Sequence, residues 1–83
     1  MSINRNTVVN LLKEGTVEIK FTKTDGSLRV LNGTLNEELT GVEVAANPTE
    51  GGALSVLDTN LGEYRAFRWE SVKSVAGTAV NGL

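Results

Sequence analysis

Arginine and aromatic side chains are interleaved along Tyr64-Arg65-Ala66-Phe67-Arg68-Trp69, a segment that holds three of the four aromatic residues in the chain. Arginine grips phosphate through two parallel N–H donors, and an aromatic ring offers a face on which a base can stack. The chemistry open to this mixture is recognition of nucleic acid or nucleotides. A period of two puts Tyr64, Ala66 and Arg68 on one face and Arg65, Phe67 and Trp69 on the other. Phe67 and Trp69 read as core, Tyr64 and Arg68 as an outward pair, and Arg65 as a residue of the rim. With two cations of an upstream hairpin, the candidate contact surface is Lys20, Arg29, Tyr64, Arg65 and Arg68. The plainer reading of each cation, and of Lys23 and Lys73, is a solvated face balanced by Glu18, Glu63 and Glu70.

Bond-making chemistry has little to work with. The chain has no histidine and no cysteine. That removes Ser-His-Asp and Cys-His machinery and the usual general base near neutral pH. It also removes disulfides and the usual ligands of a structural zinc. No cofactor and no metal are expected. Glu37-Glu38 is the one adjacent carboxylate pair, and neighbours on a strand point apart. The sequence therefore predicts a protein that is not an enzyme. Gly51-Gly52 has no following lysine or helix start to make a phosphate loop. Asp58, Asn60 and Glu63 offer oxygen atoms, but the spacing is that of a turn and not of an EF-hand.

Eighty-three residues at a net charge of −2 predict one small domain spanning 1–83. The acidic balance argues against a surface that coats nucleic acid broadly, and leaves local basic patches open. No apolar run approaches the roughly 20 residues of a membrane span, and the start of the chain is too short and broken for a secretory signal. Those features, with the lack of cysteine, predict a protein of the reducing cytoplasm that does not engage membranes.

These residues need a scaffold. Residues 1–15 read as a short helix with Asn6 as N-cap, Val8, Leu11 and Leu12 on one face, Lys13 in the last turn and Gly15 as a left-handed stop. From Thr16 the period becomes two, with Val17, Ile19 and Phe21 on one face. Asp25-Gly26 predicts a tight hairpin; as a two-residue loop it would set Phe21 against Val30 and Thr22 against Arg29. In the return strand Leu28 and Val30 share one face while Leu31 and Leu35 share the other, so a bulge near Val30-Leu31 is expected to restore a single inward face. Val42 and Val44 predict a third strand, residues 47–52 a loop, Leu54 and Val56 a fourth strand, 58–62 a turn, and 63–69 a fifth. Ser71, Val72 and Val75 predict one helical turn and a last short strand. Residues 77–83 have little to anchor them and are expected to fray. The segment 53–57 is uncharged and apolar and reads equally as an internal strand or as an edge that pairs with another copy. Short strands, one tight hairpin and a terminal helix predict a mainly β fold, a small SH3/Sm-like bent β-barrel of about five strands, over residues 16–76. An open α+β sheet is the alternative.

The hairpin of residues 21–35, Phe-Thr-Lys-Thr-Asp-Gly-Ser-Leu-Arg-Val-Leu-Asn-Gly-Thr-Leu, together with Phe67-Arg68-Trp69-Glu70-Ser71-Val72, resembles the small WYL-like, Sm-like SH3 β-barrel proteins of tailed bacteriophages. The closing segment is similar to the end of larger WYL domains, where Arg-x-Phe-x-x-Asp-Arg precedes an aliphatic residue. Arg65 and Phe67 fall on that pattern, Glu70 takes the acidic place, and Ser71 stands where a second basic residue would be. The resemblance implies a ligand-sensing module with nucleic acid or nucleotides as ligands.

The function expected is thus a non-enzymatic phage accessory or regulatory module that binds nucleic acid or a nucleotide-like ligand in the bacterial host cytoplasm. The alternative is a protein-interaction module, either a homo-oligomer or an inhibitor seated on a host protein. A minor virion component is a third class.

Overall fold

The computed structural model describes residues 3–43 and 48–83. Helix α1 (Arg5–Glu14) starts one turn-fraction earlier than its sequence suggests. Asn4, not Asn6, is the N-cap: it is the asparagine with extended backbone, and its side chain accepts the Thr7 N–H at 2.9 Å. The buried face is Val8, Val9 and Leu12, with Leu11 only packed against it. Gly15 ends the helix in extended backbone (φ 170°), so the left-handed stop is not used. The free carbonyls at the helix end are instead met by the last residue of the second strand and the two residues after it. Leu35 N–H donates to Leu12 O at 2.9 Å and Asn36 Nδ2 to Lys13 O at 2.9 Å, while the buried Thr34 hydroxyl lies 2.9 Å from Gly15 O.

Among the described residues six antiparallel strands follow: β1 (Val17–Thr22), β2 (Leu28–Thr34), β3 (Ala53–Asp58), β4 (Glu63–Arg68), β5 (Val72–Val75) and β6 (Thr78–Ala79). Their order across the sheet is β4-β3-β2-β1-β5-β6. Segment 53–57 is therefore internal, between β4 and β2, although β2 meets it only at Gly33–Asp58 and Thr34–Leu57. Gly33 is needed at that crossing, since a Cβ there would lie 2.6 Å from Val56 Cγ2. The strand expected at Val42–Val44 is not found where it can be judged: Val42 is exposed and outside any strand, and Val44 lies outside the described residues. Asn36 caps a single helical turn, α2 (Glu37–Thr40), which Gly41 closes at φ 71°.

The β1–β2 register departs by one residue from the expectation. Lys23 N–H donates to Ser27 O at 2.8 Å and Gly26 N–H to Lys23 O at 2.9 Å, with Gly26 at φ 87°. Asp25-Gly26 thus sits in a three-residue loop, a type I turn followed by a left-handed residue, and not in a two-residue one. Phe21 pairs with Arg29, Ile19 with Leu31 and Val17 with Gly33, without interruption. The bulge expected near Val30-Leu31 is absent because it is not required: Leu31 goes inward, and Leu28 and Val30 stand outside at 58% and 48% exposure. The register irregularity of the sheet lies instead between Lys20 and Phe21, where β1 meets β5.

The sheet is strongly curled. Phe21 on β1 and Phe67 on β4 lie three strand spacings apart in its order, about 14 Å if it were flat. Their ring centroids are 6.0 Å apart. Phe67 meets Trp69 edge-on at 5.4 Å, and both are buried with Ile19, Leu31, Val56, Val72 and Val75. The single helical turn expected from the sequence is present, but it spans Trp69–Ser71: β4 ends at Arg68, so Trp69 leaves the strand in which the sequence places it, and Val72 already belongs to β5. Residues 77–83, read from the sequence as a loose tail, are bound along their length. Val80 N–H donates to Lys73 O, Gly82 N–H to Val72 O and Leu83 N–H to Trp69 O. No helix of the described residues is long and apolar enough to cross a membrane.

Candidate nucleic-acid interface

Curling the sheet brings the outer edge of β4 opposite the far end of the β1–β2 hairpin. The seam between them is a cleft of about 430 Å³, lined by residues 21–24, Arg29, residues 64–68 and Ser71. Four of the five sequence-predicted site residues, Arg29, Tyr64, Arg65 and Arg68, meet there. Lys20 does not. It lies on the outward face of β1, paired in register with Val30 and Ser74, and its Nζ is 4.0 Å from Glu18 Oε1. Lys23 takes its place in the cleft wall.

The register explains the exchange. Cross-strand partners share a face. A Phe21–Val30 register would put Arg29 outside with Thr22 and Lys20. The observed Phe21–Arg29 pair turns Arg29 to the side of Phe21, at the mouth of the core. Lys23 heads the loop that the extra residue creates. The hairpin that carries Lys23 was visible in the sequence; the loop length that aims it was not.

The charges are distributed unevenly. The chain holds eight lysines and arginines, and four of them, Lys23, Arg29, Arg65 and Arg68, line this cleft without a carboxylate among its lining residues. Two glutamates stand beside it: Glu63 Oε2 accepts from Arg65 Nη2 at 3.1 Å, and Glu70 Oε1 lies 3.9 Å from Arg68 Nη1. Both pairs are exposed enough to contribute little to stability. Arg65 Nε is buried and has no hydrogen-bond partner among the described residues. A buried donor left unpaired is costly. Asp25, at the hairpin tip, has its carboxyl held below the ordinary value of 3.8 by the Ser27 hydroxyl first and the Ser27 N–H second. Tyr64 is 48% exposed on the cleft wall.

At the other end of β4, Arg5 from α1 lies over the buried Trp69 ring, 5.3 Å from its centroid. Its guanidinium donates to the main-chain oxygens of Leu83, Thr49 and Gly51 at 3.0, 3.0 and 2.9 Å. This residue, which sequence reasoning passed over, ties the helix, the tail and the approach to β3 around the aromatic core. Asp58 caps its turn by accepting the N–H groups of Asn60 and Leu61, in keeping with the turn that its spacing predicts. No cluster of potential metal ligands occurs among the described residues.

A four-strand meander, β1 to β4, whose first strand also pairs with β5, curled over one core and headed by a short helix, is consistent with the Sm-like SH3 barrel fold. Residues 5–73 match the family described as WYL_2, Sm-like SH3 beta-barrel fold, and the chain belongs to that family. No curated protein and no solved structure matches the chain.

Proposed function

We propose that this protein is a non-enzymatic binding module whose seam cleft takes nucleic acid or a nucleotide-like ligand. The observation that carries this reading is the gathering of four of eight basic residues of an acidic chain on one cleft. Arg29, Arg65 and Arg68 would hold phosphate, and Tyr64 would stack on a base. The resemblance to small tailed-phage proteins supports an accessory or regulatory role in the cytoplasm of an infected bacterium. The test is binding of short single-stranded oligonucleotides across a salt series. Three phosphate contacts predict a slope of log K against log salt of about −2, at roughly 0.7 per contact on single strands. Arg65→Ala and Arg68→Ala should each lower the affinity about tenfold and flatten that slope by one contact. A salt-independent affinity, or none for any oligonucleotide, refutes the reading.

A second reading, a protein-interaction module, draws on a different surface. Leu28 and Val30 sit two residues apart on the outward face of β2, both exposed. An apolar pair there favours contact with a second copy or with a host protein. Light scattering on the purified protein and a pull-down from host lysate test it: a monomer that captures no protein refutes this reading and leaves the first standing.

A further inference from the structure

The outer edge of β4 brings a second kind of chemistry to the cleft. Trp69 N–H donates to Gly52 O at 3.0 Å, which sets the phase of the β3–β4 ladder. Counting along the register from that pair, Phe67 with Leu54, Arg65 with Val56 and Glu63 with Asp58 are the hydrogen-bonded pairs. Tyr64, Ala66 and Arg68 are the alternate residues, so their N–H and C=O groups point away from β3. Among the described residues no strand pairs on that side, because β4 ends the sheet. Five consecutive residues, 64–68, line the cleft. Side chains of a strand alternate between faces, so a run of five can line one cleft only when the strand is met edge-on. The wall is thus built of main-chain donors and acceptors as well as guanidinium groups.

A bare phosphate can use only part of that wall. Its oxygens accept from N–H and guanidinium, while the outward carbonyls repel it. A ligand that satisfies the whole wall carries donors, acceptors and negative charge together. A nucleotide does, through the edge of its base and its phosphate. In a duplex the Watson–Crick edges are already paired, and a cleft of about 430 Å³ is the size of a small-ligand site. Tyr64, half-exposed and among the residues lining the cleft, favours a planar base over an acidic polypeptide. Resting on the reading of the cleft as a nucleic-acid site, we infer that the free edge of β4 hydrogen-bonds an unpaired base through the main chain of Tyr64, Ala66 and Arg68. The ligand class is then single-stranded nucleic acid, read as base plus phosphate, and not polyanions at large.

The experiment compares four probes on the full chain by fluorescence anisotropy: a single-stranded DNA pentamer, an abasic pentamer of equal charge, a DNA duplex and polyglutamate. The expected result is at least tenfold tighter binding of the base-bearing pentamer than of the other three. Amide exchange adds the residue-level readout: the N–H groups of Tyr64, Ala66 and Arg68 become protected with the base-bearing pentamer and not with the abasic one. Ala66→Pro removes one outward donor without touching the β3 ladder, a substitution an edge strand tolerates. It should abolish the preference for bases and keep the residual abasic binding. If that variant fails to fold, the amide protection in the unaltered protein decides alone. Equal affinity for base-bearing and abasic pentamers, or unprotected edge amides, overturns the inference while the phosphate reading survives. Polyglutamate bound as tightly as the pentamer overturns it in favour of an acidic peptide. No binding of either pentamer overturns the underlying nucleic-acid reading itself.

Discussion

Replacing Arg5 by alanine removes one side chain and four contacts. Three are hydrogen bonds to the oxygens of Leu83, Thr49 and Gly51, and the fourth is the position over the Trp69 ring. A hydrogen bond from a charged donor contributes about 1.5–3 kcal/mol net, and a cation over an aromatic ring about 0.5–2 kcal/mol, the upper end where the ring is buried as Trp69 is. The Gly51 contact is exposed and the other two are part-buried. All four share the ordering of a single side chain, so the lower ends apply and do not simply add. The expected loss is about 3 kcal/mol, a large part of the stability of a domain this small. At 4–8 °C per kcal/mol for a domain of this size, Tm falls by about 12–24 °C. Arg5→Lys should recover little, about 1 kcal/mol, because one ammonium cannot reach three divergent acceptors and also lie flat on a ring. Urea unfolding followed by far-UV circular dichroism measures the loss. Fluorescence of Trp69, the sole tryptophan, reports whether its surroundings open first. An Arg5→Ala protein within about 0.5 kcal/mol of the parent would refute the clamp and make Arg5 an ordinary surface arginine.

The observed register predicts that Leu28→Lys and Val30→Lys each change stability by less than about 0.5 kcal/mol, since both side chains already face water. A loss of several kcal/mol in urea unfolding would restore the Phe21–Val30 register. Asp25 supplies the pH dependence. Its carboxyl is depressed in the folded state, so the unfolded chain binds its proton first as pH falls. The stabilisation is complete above the ordinary carboxylate range and is lost as pH falls through the lowered folded value. Asp25→Asn should flatten the acid limb of the stability curve by that increment. An unchanged limb, with the Asp25 carboxyl titrating at its ordinary value by NMR, would count against the Ser27 contacts.

What was legible in the sequence was the periodicity. Val17, Ile19 and Phe21 in one strand, and Phe67 with Trp69 near another, are placed inside by alternation alone, and all five are buried. The mainly β, Sm-like SH3 fold followed from that pattern with the helix and hairpin. Register was not legible. Asp25-Gly26 serves a two-residue or a three-residue loop equally well, and the two choices send opposite sets of apolar residues inward. Leu28 and Val30 compete with Leu31 for the core on sequence grounds. The decision is made by long-range partners: Leu31 must meet Ile19, and Gly33 must let Val56 approach. The same one-residue slip moved Arg29 into the cleft and left Lys20 outside it, so the site was misgrouped for the reason that the hairpin was. The helix cap was misplaced because Asn4 and Asn6 are equal candidates by type, and only the backbone of Asn4 is extended. The tail was not legible, since Lys73, Val72 and Trp69 bind it through main-chain oxygens that carry no side-chain signal, and the Arg5 side chain that reaches Leu83 O lies 78 residues away.

The arginines on β4 have a competing explanation that the structure allows to be separated from ligand binding. An unpaired sheet edge invites pairing with other chains, and charged side chains on it suppress that. Arg65 and Arg68 on the edge of β4 would serve this purpose with no ligand at all. Edge protection depends on charge alone, and lysine supplies it as well as arginine. Phosphate recognition depends on a planar fork that lysine lacks. The Arg65→Lys, Arg68→Lys protein should therefore remain as soluble and as stable as the parent. Its salt slope for a single-stranded oligonucleotide should persist, because the number of cations is unchanged. Its affinity should fall about tenfold, the loss of bidentate geometry at roughly 1.4 kcal/mol. If the double lysine variant binds as tightly as the parent, the guanidinium groups are not reading phosphate, and the cations of the seam are there to keep β4 apart from its neighbours.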